Sequence, residues 1–103
     1  MDRKALLTEI LSQNPNDAFA RYGLAMECSQ AGQTEEALQE FRKLLTAHPD
    51  YTAGYFMAAQ TLAKADRTAE ARTMLEQGVA AAQRTGNAHA RSEMEAMLAD
   101  LAA

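Results

Sequence analysis

The sequence predicts an all-α fold built from helical hairpin repeats, and two observations carry this prediction. A shift of 34 residues aligns the chain with itself, so that Pro15 meets Pro49 and Ala37 meets Ala71. Ala and Leu dominate the apolar residues, whereas Val and Ile occur once each, and this balance favours helix over strand. Because a repeat array buries its apolar face against neighbouring repeats, the period predicts five helices, or about two and a half repeats.

Turn residues divide the first repeat, 18–51, into two predicted helices. Gly32 suits a left-handed turn after the first helix. Thr34 is placed to cap the second helix, and Pro49 ends it. The spacing therefore predicts a helical hairpin.

The second repeat, 52–85, follows the same plan. Its predicted first helix ends at a turn that contains Asp66. Thr68 is placed to cap the second helix, which ends at Gly86.

One helix is predicted on each side of the two repeats. Residues 2–13 align at the 34-residue offset with the second helix of a hairpin and are interpreted as half a repeat. Residues 88–101 are amphipathic and are interpreted as a C-terminal capping helix, although their apolar residues leave the 34-residue register. The whole chain, 1–103, is thus predicted to form one domain, a size that is typical of single domains.

Small, aromatic and turn residues recur at family-like positions along these repeats. They are Leu24-Ala25, Ala58-Ala59, Ala37, Ala71, Gly32, Phe41 and Pro49. This pattern resembles the tetratricopeptide repeat, in which small residues let neighbouring helices approach closely. The chain departs from the family at Arg21, where a large aromatic is usual, at the bulky Leu44, and at Gln83, which replaces a second closing proline.

The resemblance implies that the first helix of each hairpin lines a concave surface. The lining residues would be Phe19, Tyr22, Met26 and Ser29 in the first repeat and Ala53, Phe56, Gln60 and Ala63 in the second. Each set follows the spacing i, i+3, i+7, i+10 and so shares one helix face. Aromatic residues and Met are enriched at binding surfaces, which favours a groove for another protein. The alternative is that a terminal helix covers these rings.

The expected partner is a peptide or a surface of another protein. The rival hypothesis is a homodimer that uses Phe19, Tyr22 and Phe56 as its interface, since so few repeats are near the minimum for a stable array. A clamp for a C-terminal carboxylate, as the family uses for chaperone tails, is disfavoured because only Lys64 offers a cation near the groove.

Composition argues against several other classes of protein. The net charge is −4 and the Lys and Arg residues are scattered, whereas nucleic-acid binding needs a concentrated basic stripe. No apolar run approaches the roughly 18 residues of a membrane span. The single cysteine, Cys28, lies on an apolar helix face, so we expect a reduced thiol and a cytoplasmic location.

No catalytic, cofactor-binding or metal-binding site is predicted. His48 lies in a turn and His89 near the start of the last helix, and neither has a partner at metal-ligand spacing. Cys28 has no base beside it in the sequence. We therefore expect a protein that works by binding and not as an enzyme.

Overall fold

The computed structural model describes residues 2–102, and all of its regular secondary structure there is α-helical. The helices are α1 (Arg3–Gln13), α2 (Ala18–Gln30), α3 (Thr34–Ala47), α4 (Thr52–Lys64), α5 (Thr68–Thr85) and α6 (Ala88–Ala102). The predicted all-α hairpin fold is confirmed.

The predicted number of five helices is wrong, because residues 2–102 contain six. The two hairpins contribute four helices and each flanking segment contributes one. The break that separates the last two helices is real: Gly86 adopts a left-handed conformation, with φ +68°, directly after α5. Asn87 Oδ1 then accepts a hydrogen bond from the amide of Ala90, at 3.0 Å, which starts α6 as a new helix.

The two hairpin turns have the same backbone conformation but different residues. Gly32 has φ +77°, and Asp66, which lies 34 residues later, has φ +61°. Asp is one of the few residues with a side chain that tolerates this region. Thr34 and Thr68 do not cap their helices as expected: each is the first helical residue, and the residue before it makes no side-chain capping bond.

The helices pack in chain order, and the first helices of the repeats also touch one another. Besides the contacts between consecutive helices, α2 contacts α4, and α4 contacts α6. Within residues 2–102, α1, α3 and α5 make no comparable contacts with one another. Since helices on the inside of a curved array lie closer together, α2, α4 and α6 form its concave side.

Small residues allow this packing. The alanines at five diagnostic positions are completely buried, namely Ala25, Ala37, Ala58, Ala59 and Ala71. Phe41 and Leu44 join the first hairpin to α4, and Leu75 and Met94 join the second hairpin to α6. Leu24, the neighbour of Ala25 in the family-like pair, is only half-buried and lies between the clusters of α1–α2 and α2–α3.

The last helix takes the place of a further first helix. α6 begins 36 residues after α4, whereas α4 begins 34 residues after α2. It nevertheless packs against α5 and α4, as α4 packs against α3 and α2. The concave side therefore has three helices, and the division of the chain into repeats stays a prediction.

Candidate functional site

The eight predicted groove residues all lie on α2 and α4, and none of them is buried. Phe19 is 71% exposed, which is the largest exposure of any large hydrophobic residue among residues 2–102. Ala53 is also exposed. The half-buried members are Tyr22, Met26, Ser29, Phe56, Gln60 and Ala63. The concave side of α2 and α4 thus offers apolar side chains that are open to a partner.

A pocket of about 260 Å³ opens between the three concave helices and brings three predicted residues together. Tyr22 comes from α2, and Ala53 and Phe56 come from α4. The other lining residues are Thr52, Met57, Asn87, His89, Ala90, Glu93 and Met94. We call this the concave pocket.

Tyr22 and Phe56, the two aromatic rings at the pocket, each pack against neighbouring side chains. Tyr22 stacks against Tyr51 in a tilted arrangement, with ring centroids 5.4 Å apart and an angle of 46° between the planes. Burial raises the pKa of the Tyr22 hydroxyl, and the neighbouring Tyr51 raises it further. Burial also raises the pKa of Tyr51. Both phenols therefore remain neutral and act as aromatic surface with a polar end.

Phe56 is supported from the other side. It packs against the buried cluster of the second hairpin, which includes Met94 of α6. α6 therefore flanks Phe56 and leaves it half-buried. The open groove and its alternative, a terminal helix over the rings, both stay predictions.

The remaining predicted residues are dispersed. Ser29 lines a second pocket of about 470 Å³ at the other end of α2 and α4, together with Lys64. Its hydroxyl lies 2.8 Å from Thr61 Oγ1. Because the Thr61 hydroxyl donates to the carbonyl of Met57, at 2.9 Å, the Ser29 hydroxyl is the donor to Thr61. Ser29 therefore links α2 to α4.

Four predicted residues line neither pocket. They are Phe19, Met26, Gln60 and Ala63. Met26 packs against the core of the first hairpin and Ala63 against that of the second. Among the three aromatic residues of the predicted set, only Phe19 projects largely into solvent.

Sequence reasoning missed the contribution of α6 to the pocket. His89, Ala90 and Glu93 form one wall, whereas the sequence indicated only an amphipathic capping helix over residues 88–101. A 36-residue offset aligns His89 with Ala53 and would have indicated their common position. The 34-residue register hides this relation, because α5 is longer than α3.

Polar groups line the pocket from α4, from α6 and from the residue before α6. His89 Nε2 lies 3.4 Å from Glu93 Oε1, and the Glu93 side chain is 48% exposed. Asn87 Nδ2 lies 3.4 Å from Thr52 Oγ1 and so joins the start of α6 to that of α4. The pocket is therefore lined by apolar side chains, by several polar groups and by one carboxylate, that of Glu93.

Cys28 and His48 both make contacts that stabilise the fold. Cys28 is buried in the first hairpin, and burial raises the pKa of its thiol. The Nε2 atom of His48 lies 2.8 Å from the carbonyl oxygen of Asn16, so the ring holds one loop against another. Among residues 2–102, no three His, Cys, Asp or Glu side chains are grouped as a metal site would require. No helix in this range has the length and apolar character needed to cross a bilayer.

Comparisons with known proteins agree with this architecture. Two family models described as tetratricopeptide repeat match the chain, one over residues 29–101 and one over residues 6–39. The TPR repeat-containing protein PA0015 of Pseudomonas aeruginosa is 30% identical over 95 residues, which are 92% of this chain and 90% of that protein.

Solved structures show the same arrangement of helices. A tetratricopeptide repeat domain protein from Salinibacter ruber superposes with a TM-score of 0.79 at 30% identity, over 85% of this chain and 89% of that chain. PcrH, in complex with the chaperone binding region of PopD, superposes with a TM-score of 0.87, over 96% of this chain and 75% of that chain. Its identity is 18%, so this second likeness is one of fold alone.

Proposed function

The chain belongs to the tetratricopeptide-repeat family, and from this premise we propose that it binds a segment of another protein on the concave side of α2, α4 and α6. The observation that carries the proposal is the set of open apolar side chains on that side. Phe19 is largely exposed, and Tyr22 and Phe56 meet at the concave pocket. Aromatic anchors of this kind usually supply most of the binding energy of an interface.

Proteins of this family and fold generally bind other proteins. The chain is a protein-interaction module by family and fold, and PcrH is a structural neighbour that holds a region of a second protein. We infer that the present chain works in the same general way, by binding and not by catalysis. A cytoplasmic location and the absence of nucleic-acid or membrane binding stay predictions. The contribution of all eight groove residues to partner binding stays a prediction as well.

The same face would serve a homodimer, which is the second candidate. The exposure of Phe19 favours it as much as it favours a foreign partner, because an isologous interface also needs an exposed apolar surface. The mass of the purified protein in solution separates the two candidates. A monomer at all concentrations would remove the homodimer and leave the foreign partner.

The proposal is tested by truncating the concave aromatics. We expect Phe56→Ala and Phe19→Ala to lower the affinity for a partner captured from native cells by about 30-fold each, corresponding to about 2 kcal/mol for an interface anchor. Leu6→Ala is the matched control, since Leu6 is 51% exposed but lies on α1, outside the concave side. Circular dichroism would verify that each variant is folded.

Binding by both folded aromatic variants at the wild-type affinity would contradict the proposal. An equal loss in Leu6→Ala would also contradict it, because the effect would then follow exposed apolar area in general and not the concave side.

A further inference from the structure

The concave pocket combines two properties that suit one kind of side chain. Its lining includes the apolar side chains of Phe56, Met57 and Met94 and the ring of Tyr22. Its α6 wall carries the Glu93 carboxylate. Its volume of about 260 Å³ is smaller than the roughly 300–1,000 Å³ of most small-molecule sites, which favours a single side chain as the occupant.

We infer that the concave pocket binds a lysine or arginine side chain of the partner segment, an inference that rests on the proposed function. Such a side chain has an apolar stem and a cationic end. The stem would pack on Phe56 and Met57, and the cation would reach Glu93 and form a charge-assisted hydrogen bond. The Tyr22 ring adds a surface for a cation–π contact.

The charges around the pocket favour a cation over a carboxylate. No lysine or arginine lines the pocket, and its titratable lining groups are Glu93, His89 and Tyr22, with the Tyr22 phenol neutral. Lys64 lies two helical turns beyond Met57, about 10 Å along the axis of α4, so its field is largely screened at physiological salt. The net charge of −4 attracts a basic segment as well.

Glu95 supplies a matched control on the same helix. The Glu93 and Glu95 side chains are 48% and 50% exposed, and each has an oxygen 3.4 Å from a nitrogen four positions earlier, on His89 for Glu93 and on Arg91 for Glu95. Only Glu93 lines the concave pocket. Substitution of either residue by Gln removes one negative charge from an exposed position of α6, so the two variants differ in where the charge is lost.

The experiment uses two blocked tripeptides, acetyl-Leu-Arg-Leu-amide and the same peptide with citrulline, the neutral isostere of arginine. Each is titrated into the full chain, and binding is followed from the backbone amide NMR signals of Ala53, Phe56 and Ala90. We expect the arginine peptide to bind wild type about two- to five-fold more tightly than the citrulline peptide, as for a partly exposed ion pair. Glu93→Gln should abolish this difference, and Glu95→Gln should preserve it.

Three results would overturn the inference. They are equal affinities of wild type for the two peptides, an equal effect of Glu93→Gln and Glu95→Gln, and no change in the pocket signals at millimolar peptide. None of these results would decide the proposed function, which the capture experiment with Phe56→Ala tests independently. Failure of that capture experiment with a preserved arginine preference would instead locate the native partner elsewhere.

Discussion

Arg21 and Tyr55 occupy the same position in two successive hairpins and make the same hydrogen bond with different chemistry. Arg21 Nη2 donates to the carbonyl of Pro15 at 2.9 Å, and Tyr55 Oη donates to the carbonyl of Pro49 at 2.7 Å. Arg21 also forms an ion pair with Glu40 at 2.7 Å, and both side chains are mostly buried. The arginine that departs from the family pattern therefore keeps the contact that an aromatic hydroxyl makes in the next repeat.

Removal of the Tyr55 hydroxyl should weaken the second hairpin. We expect Tyr55→Phe to lower the free energy of unfolding by about 0.5 to 1.5 kcal/mol, the usual net value of one hydrogen bond. The ring remains in its buried place, and Arg84 still donates to the carbonyl of Pro49, so the low end of this range is expected. Urea unfolding measures the change, and a variant as stable as wild type would mean that this bond contributes nothing.

The buried alanines should not tolerate larger side chains. Ala37 and Ala71 are fully buried, so Ala37→Leu and Ala71→Leu should each cost about 1 to 3 kcal/mol by overpacking the hairpins. Ala80→Leu is the control because Ala80 is exposed on the same helix as Ala71. Thermal melts compare the three, and unchanged melting of both buried variants would show that the close approach of the helices is not required.

Gly78 of α5 should resist substitution for a steric reason. A Cβ atom at this position would lie 2.7 Å from the Cβ of Tyr55 and would also collide with Met94. Alanine would gain about 1 kcal/mol in helix propensity, but we expect overpacking to outweigh this gain, so that Gly78→Ala is less stable than wild type. Chemical denaturation tests the sign, and a more stable variant would show that α6 moves away at little cost.

Two phenylalanines should respond differently to truncation. Phe41 is fully buried, so Phe41→Ala should cost about 3 to 5 kcal/mol. Phe19 is 71% exposed, so Phe19→Ala should change stability by less than about 1 kcal/mol. Phe41 serves as the core control because its side chain is fully buried, whereas Leu24 is only half-buried. Similar melting temperatures for the two variants would contradict the open concave side.

The Arg67–Glu70 ion pair should contribute to the pH dependence of stability. A hydrogen bond from Arg67 lowers the pKa of Glu70, and the more distant Arg42 lowers it by charge alone. The folded-state pKa lies below the unfolded one, so the contribution is present above the unfolded value of about 4.3 and is lost as the pH falls through the folded value. Carboxyl ¹³C titration should show a higher Glu70 pKa in Arg67→Met and a smaller rise in Arg42→Met. An unchanged Glu70 pKa in Arg67→Met would contradict the assigned cause.

The sequence predicted the helices better than their number or their caps. Gly32 and Gly86 carry a local signal, because a left-handed residue after a helix favours glycine. Thr34 and Thr68 misled the prediction of the caps, because each helix starts at the threonine itself, one residue earlier than a threonine cap would allow. Helix boundaries depend on such details of the turn, which composition does not specify.

The groove residues stay a prediction, but the structure brings some of them together. Tyr22, Ala53 and Phe56 line one pocket because repeat spacing places residues on one helix face. The wall formed by His89 and Glu93 was missed because it depends on how α6 docks, and the longer α5 shifts that helix out of register.

The sequence by itself determined the all-α hairpin repeat and the turn residues that separate its helices, since periodicity and turn chemistry act over a few residues. Only the tertiary structure decided which apolar side chains remain exposed to solvent. Exposure of Phe19, partial cover of Phe56 by α6 and the presence of Glu93 at the pocket all depend on contacts between residues far apart in the chain. The burial of a side chain depends on how neighbouring helices pack in space. The local sequence pattern does not specify the distance between those helices.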